Sequence, residues 1–416
     1  MTTKLFRNAH IFTPLDPGHP LSGKDQGQIL EIKNGALLSR NGQVHLVGEE
    51  SLVLNRLSGN HPDQEIDCDQ YCMIPGFVDP HTHMCFARLR EAEFDLRIKG
   101  TPYLEILEKG GGILSSVAAV RETDEDHLYH QTKKHVENAL GFGTTAVEIK
   151  SGYGLDTKSE LKMLNAIDRV AKHVAADIVP TFLGAHAVPE DYRERPGAFV
   201  DLVVDEMLPA VKQQGIARFC DVFCETGVFT VAQGRRILKA AQAMGLGVKS
   251  HADEVNDLGG AGLAAELGAI SADHLLAAGN GNLKQMAGAG VVANLLPATA
   301  YSLRKPYARA RDMIDMGLPV ALATDCNPGS SYTESIPFVI GLAVMNMAMT
   351  PAEALVAATI NGAYSMGTAK WIGSLDPGKQ ADFLLLDGDS PAILAYHAGV
   401  SPVKKVFKRG ECIMGR

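Results

Sequence analysis

From Phe77 onward the chain alternates short runs of β-branched and apolar residues with longer stretches whose apolar positions recur at helical spacing. The short runs are "FVDPHTH", "TTAVEIKSG", "DIVPTFLGAH", "FCDVFCETG", "GVKSHADE", "ISADHLL", "VVANLLP" and "VALATDCNPG". Between them lie segments such as "KSELKMLNAIDRVAKHV" and "VAQGRRILKAAQAMG", the second closing on Gly245 as a helix stop. Eight strand-plus-helix units over about three hundred residues predict an α/β fold, a (β/α)8 TIM-like barrel, because an open doubly wound sheet usually has fewer strands.

The two ends have a different rhythm. Residues 1–72 hold "KLFRNAHIFTP", "QILEIKNGALLSRNGQVHLVG" and "EIDCDQYCMI", where apolar positions alternate and "KNG" and "RNG" read as turns. Residues 371–416, from "GSLDPGKQADFLLLDGD" to "VKKVFKRGECIMGR", look the same. Neither flank has enough apolar surface to fold alone. The two are therefore expected to meet as one small discontinuous β-sandwich domain, with the barrel of residues 73–370 inserted between them.

Composition adds limits. The 416 residues are 46% hydrophobic and 21% charged, which is ordinary for a globular protein, and the net charge of −9 gives no general attraction to nucleic acid or anionic membrane. The N-terminal "MTTKLFRNAHIF" lacks the apolar core of a signal peptide, and "IPFVIGLAVMNMAMT" is too short to span a bilayer, so a buried helix is expected there. Seven cysteines at irregular spacing form no zinc-ribbon pattern and read as reduced, mostly buried thiols of a cytoplasmic protein.

Candidate chemistry appears at the ends of the predicted strands, which converge on one face of such a barrel. They place His81 and His83 on the first strand, Lys150 on the second, His186 on the third and Glu225 on the fourth. His251, His274 and Asp325 follow on the fifth, sixth and eighth. His81 and His83 are two apart, so on an extended strand they point the same way and can grip one ion. His251 and Asp325 close the set from across the barrel mouth, and three imidazoles with one carboxylate suit zinc or iron. The other nine histidines (His10, His19, His45, His61, His127, His130, His135, His173 and His397) fall in flanks, loops or helix patterns and read as surface.

"PGFVDPHTH", "SHADE", "SADH" and "ATDCNPG" resemble the amidohydrolase superfamily of metal-dependent hydrolases. More narrowly, "GGGILSSV", "EIKSGYGLD", "FLGAH", "SADHL" and "LATDCNPGSS" are similar to its imidazolonepropionase family, and the resemblance covers nearly the whole chain. It implies one Zn2+ or Fe ion per subunit, held by His81, His83, His251 and Asp325. The implied reaction opens the cyclic amide of 4-imidazolone-5-propanoate to N-formimidoyl-L-glutamate, in histidine degradation. Many binuclear relatives carry a carboxylated lysine at the end of strand four; "FCETG" has none, which favours a single metal and leaves Lys150 as an ion-pair or scaffold residue.

By the same resemblance, Asp325 acts as base, His274 polarises the carbonyl, and Glu254 contacts the ring and shuttles a proton. Arg90 holds the propionate, and Tyr153, His186, Asn327, Gly329 and Ser330 complete the pocket. "FARLR" departs from the glycine-rich turn common at this place in the family, which leaves Arg88 and Arg90 as alternatives for the carboxylate contact. "HADE" also fits a mononuclear deaminase acting on a cyclic amidine, the competing reading, and a non-catalytic barrel is disfavoured because all four ligand positions are filled. A homodimer is expected, with a small-molecule substrate and no nucleic-acid or membrane partner.

Overall fold

The computed structural model describes residues 2–57, 61–100 and 111–415. Five strands precede the barrel: β1 (Thr3–Thr13), β2 (Leu30–Arg40), β3 (Gln43–Glu49), β4 (Gln64–Asp67) and β5 (Cys72–Pro75). The barrel strands are β6 (Phe77–Asp79), β7 (Thr144–Lys150), β8 (Asp177–Ala185), β9 (Phe219–Cys224), β10 (Gly247–Ala252), β11 (Ser271–His274), β12 (Val292–Leu295) and β13 (Val320–Leu322). Three more close the chain: β14 (Phe383–Leu386), β15 (Val403–Lys408) and β16 (Glu411–Gly415).

All eight predicted runs form barrel strands, each paired in parallel with the next from β6 to β13. The barrel is closed between its first and last strands by Asp79, whose carboxylate accepts from the Thr324 amide (3.1 Å) and hydroxyl (2.6 Å). Just beyond, the Asp325 amide donates to the His81 carbonyl at 3.1 Å and the His83 amide to the Cys326 carbonyl at 2.9 Å. That seam fixes the backbone of three candidate metal ligands relative to one another.

The helices follow from local signals. Asp156 caps the helix Thr157–Ala171 by accepting from the Ser159 amide, and the apolar stripe Met163, Leu164, Ile167 and Val170 is buried against the barrel. Thr230 and Gln233 form a capping box at the start of Val231–Ala243, and the chain leaves that helix through Gly245 at φ +83°. The apolar segment at Ile336–Asn346 is a mostly buried helix of 11 residues, and no helix among the described residues is long and apolar enough to cross a membrane. The glycine-rich stretch at 109–116 lies outside the described residues as far as Gly110; from Ile113 it forms a helix to Glu122.

The two chain ends share one sheet, as expected, in the order β16-β15-β14-β5-β1-β2-β3 with β4 also on β1. Its core holds Phe6, Phe383 and Phe407, with ring centroids 4.5–5.2 Å apart. Asn41-Gly42 makes the β2–β3 hairpin, both residues at positive φ, which is the conformation a two-residue loop of this kind requires. "KNG" is not a turn: Asn34, at φ +49°, sits inside β2 where the register with β1 slips, because asparagine tolerates the left-handed conformation that such a bulge needs.

The apolar run Ile74–Val78 belongs to two sheets. β5 ends at Pro75 in the terminal sheet and β6 begins at Phe77 in the barrel, so the expected barrel start at residue 73 falls inside β5. Gly76 makes the passage, and a Cβ there would lie 2.3 Å from Thr145 Oγ1 and 2.5 Å from its Cγ2. Thr145 is β-branched and buried in β7, so it has little freedom to yield. Gly76→Ala is expected to destabilise the protein by about 1–3 kcal/mol, read as a lower urea midpoint; an unchanged midpoint would show that this crossing is loosely packed.

Candidate metal centre

Parallel barrels normally fill their interior with branched apolar side chains. This one is charged: Glu148, Lys150, Asp221, Lys249 and Asp273 are all fully buried. Lys150 Nζ lies 2.8 Å from both Glu148 and Asp221 and 3.7 Å from Asp273, while Lys249 Nζ donates to the Pro80 carbonyl at 2.9 Å. Of these five the sequence analysis singled out Lys150 alone. The signal was there in period-two form: "EIK" and "KSH" place Glu148 with Lys150, and Lys249 with His251, on one face of each strand.

Above this layer the strand ends bring electron-pair donors together. His83 Nε2 and His251 Nε2 are 3.2 Å apart, and Asp325 Oδ1 is 3.5 Å from His81 Nε2 and 3.6 Å from His83 Nε2. His81 Nε2 is buried with no hydrogen-bond partner. Burial holds the imidazoles of His81 and His83 far below their ordinary pKa, and the charge of Lys150 adds to this for both. Neutral imidazoles facing one carboxylate oxygen at such range repel unless a cation lies between them. The residues therefore fit one zinc or iron ion, and buried triads drawn from His81, His83, His186, His251, His274 and Asp325 have donor atoms within 4.8 Å of one another.

The far sides of three of the four candidate ligands face a partner as well. His81 Nδ1 is 2.5 Å from Asp273, and His251 Nδ1 is 3.1 Å from Asp221. Thr299, which the sequence analysis did not single out, donates its hydroxyl to Asp325 Oδ2 at 2.5 Å and leaves Oδ1 toward the histidines. Asp325 and His274 adopt φ of +52° and +76°, costly for non-glycine residues, and such strain clusters at functional sites.

The remaining predicted residues surround this cluster. His186 stacks on His83 with centroids 4.8 Å apart, its Nδ1 donates to the Gly152 carbonyl at 3.0 Å, and burial pushes its pKa down to about 3. Tyr153 is buried with its ring 5.3 Å from that of His186, and burial holds its hydroxyl protonated. Glu254 Oε1 is 3.7 Å from His274 Nδ1. Glu225 stands apart from the donors: its carboxylate accepts from the Val255 and Asn256 amides and anchors the loop that carries Glu254.

Arg90 and Arg88 separate cleanly. Arg88 is exposed, 3.7 Å from Glu122, whereas Arg90 is turned inward with Nε and Nη1 buried and free of hydrogen bonds, Nε lying 3.5 Å from the Glu93 carboxylate. Its guanidinium occupies the space a Cβ on Gly329 would need, 1.4 Å from Nη2, and its charge reaches Tyr153 and His186. Arg97, missed in the sequence, donates to the Gly329 carbonyl at 3.0 Å. Asn327 and Ser330 bond to each other and to their own loop: the Asn327 amide donates to the Asp325 carbonyl, and its oxygen accepts from the Gly329 and Ser330 amides. Their work is to shape the turn beneath Arg90.

One surface expectation fails. His135 is buried against Phe86 and Tyr332 and lies 3.1 Å from Glu334, because its helix packs under the loop that follows Asp325. The cysteines are unpaired, six of them buried, and Cys326 beside Asp325 is held protonated by burial, which suits a packed thiol rather than a nucleophile.

Barrel and site together define a metal-dependent hydrolase acting on carbon–nitrogen bonds, and the chain belongs to the amidohydrolase family, whose model matches residues 72–413. It is 64% identical to the imidazolonepropionase of Desulfotalea psychrophila over 99% of both chains. It is 62% identical to that of Syntrophobacter fumaroxidans, over 99% of this chain and 97% of the other. Among solved structures, the guanine deaminase of E. coli superposes with a TM-score of 0.74 at 15% identity, covering both chains fully. The 5-methylcytosine deaminase of Klebsiella pneumoniae does so at 0.74 and 16%, covering 99% and 97%. At those identities the likeness is one of fold.

Proposed function

We propose that the chain hydrolyses the ring amide of 4-imidazolone-5-propanoate to N-formimidoyl-L-glutamate, a step of histidine degradation. The observation that carries this reading beyond the family is Arg90, a largely buried guanidinium whose Nη1 has no hydrogen-bond partner among the described residues and whose only nearby carboxylate among them, Glu93, lies 3.5 Å from Nε, which suits it to a carboxylate tail. The names of the relatives at 64% and 62% identity support the same substrate.

Bound at His81, His83, His251 and Asp325, a zinc or iron ion supplies Lewis acidity and brings water toward ionisation near neutral pH. Arg90 holds the propionate while Tyr153 and His186 give the planar ring an aromatic wall. Asp325, with Oδ2 held by the Thr299 hydroxyl and Oδ1 toward the histidines, takes the proton of the attacking water. His274, with Glu254 3.7 Å behind its Nδ1, donates to the carbonyl oxygen as charge develops there. The water oxygen bonds to the carbonyl carbon, the carbon–nitrogen bond of the ring breaks, and the proton passes to the departing nitrogen.

Freshly prepared imidazolonepropionate is expected to gain one water with no ammonia released, followed by absorbance, mass and an ammonia assay. Ammonia instead would move the assignment to the deaminases, and no turnover by metal-replete protein would end it. Prolonged dialysis against a chelator should abolish turnover, and stoichiometric Zn2+ or Fe2+ should restore it. The same reading has the enzyme act as a cytoplasmic homodimer on a small molecule, without nucleic-acid or membrane partners; light scattering on the eluting protein checks the dimer. The unpaired buried thiols support a reducing compartment.

A further inference from the structure

Lys150 is fully buried in the barrel interior among three carboxylates, and no step of the proposed reaction uses it. Its two metal-side neighbours have specific tasks. A liganding imidazole must offer a lone pair from one nitrogen and keep its proton on the other, and a carboxylate behind the ring sets that tautomer and the ring's orientation. Asp273 stands in that place for His81 at 2.5 Å and Asp221 for His251 at 3.1 Å.

Each carboxylate is in turn oriented. Asp221 Oδ1 accepts from the amides of Val222 (2.7 Å) and His251 (3.2 Å), which leaves Oδ2 between His251 and Lys150. Asp273 Oδ1 accepts from Ser271 and Asn294, which leaves Oδ2 for His81 and Lys150. The same oxygen of each aspartate thus faces a metal ligand on one side and the ammonium on the other.

We propose that Lys150 is a positioning residue of the metal centre: through Asp221 and Asp273 one buried ammonium sets the imidazoles of His251 and His81 together. The inference rests on the reading of those histidines as metal ligands. Burial alone would drive Lys150 toward its neutral form, but Asp221, Glu148 and Asp273 outweigh it and keep the group charged. Without that charge, three carboxylates would be left in a dry interior with Lys249 as the nearest cation. Lys249 cannot substitute, because it is committed to the Pro80 carbonyl and lies 3.5 Å from Glu148.

The test is Co2+ affinity of the metal-stripped full-length protein, measured against a competing chelator, with the visible spectrum of the bound ion recorded alongside. Lys150→Met is expected to weaken Co2+ binding by about 10- to 100-fold and to alter the spectrum, with Asp221→Asn and Asp273→Asn falling in the same range. In the Lys150→Met background, Asp221→Asn should add less than about threefold, since both act on one linkage. Lys150→Met that loses stability yet keeps Co2+ affinity within about threefold, with an unaltered spectrum, would overturn the proposal.

If Lys150→Met does not fold, the Asp221→Asn, Asp273→Asn pair decides: a joint loss well below the product of the single losses supports the bridge, and a simple product overturns it. His81→Ala and His251→Ala belong in the same series. If they also keep Co2+, the metal assignment itself falls; if they lose it while Lys150→Met does not, this inference alone fails.

Discussion

Asp325→Asn is expected to lower kcat by about 10³-fold or more, the upper part of the range for removing a positioned general base, the role proposed for this carboxylate. The change keeps the shape and the hydroxyl contact from Thr299 while removing the negative charge that faces His81 and His83. Both proposed functions should go at once, because a carboxamide is a weak ligand and has no useful basicity at neutral pH. Turnover of imidazolonepropionate and bound metal, by elemental analysis, should be measured on the same sample. A variant that keeps its metal yet loses turnover isolates the proton-transfer role. One that retains more than a tenth of wild-type kcat would remove Asp325 from the mechanism.

Arg90→Ala should lower kcat/KM for imidazolonepropionate by about 10²- to 10³-fold, with metal content unchanged. Two charge-assisted hydrogen bonds at about 1.5–3 kcal/mol each, less than fully additive, give a loss of about 3–4 kcal/mol. Arg90→Lys keeps the charge but not the fork and should recover only part of it. An imidazolone without the propionate should react equally, and poorly, with both proteins. Gly329→Ala provides a second route to the same result, because the added Cβ would fall on Arg90 Nη2 and expel the guanidinium without altering its chemistry. If Arg90→Ala leaves kcat/KM within about threefold, the carboxylate is held elsewhere, and Arg97, the guanidinium bound to the Gly329 carbonyl, becomes the next candidate.

The likeness in fold to purine and pyrimidine deaminases is understandable at this level. The barrel presents a metal and a set of acids and bases at its mouth, and the chemistry turns on what the neighbouring loops bind. Here the loop after β6 contributes Arg90 and the loop after β13 contributes the turn on which it rests, linked by a hydrogen bond from the Arg90 amide to the Pro328 carbonyl at 3.1 Å.

The sequence by itself determined a great deal of this protein. Alternating strand and helix periods identified all eight barrel strands, and the terminal β segments were recognisable because alternation of apolar residues is a local property of a half-buried strand. The candidate ligands were legible for the same local reason: two residues apart on a strand means one face, and a strand end in a barrel means the active face. What the tertiary structure alone decided concerns partners distant along the chain. The choice of Arg90 over Arg88 depended on Gly329, whose missing Cβ leaves room for a guanidinium more than two hundred residues earlier in the chain. His135 was assigned to the surface from its helix pattern, and only the packing of the loop carrying Tyr332 and Glu334 buried it. Lys150 was visible as a lysine at a strand end, but its place between Asp221 and Asp273 requires three strands to be brought together, since a charge can lie in a dry interior only where the fold supplies its counter-charges.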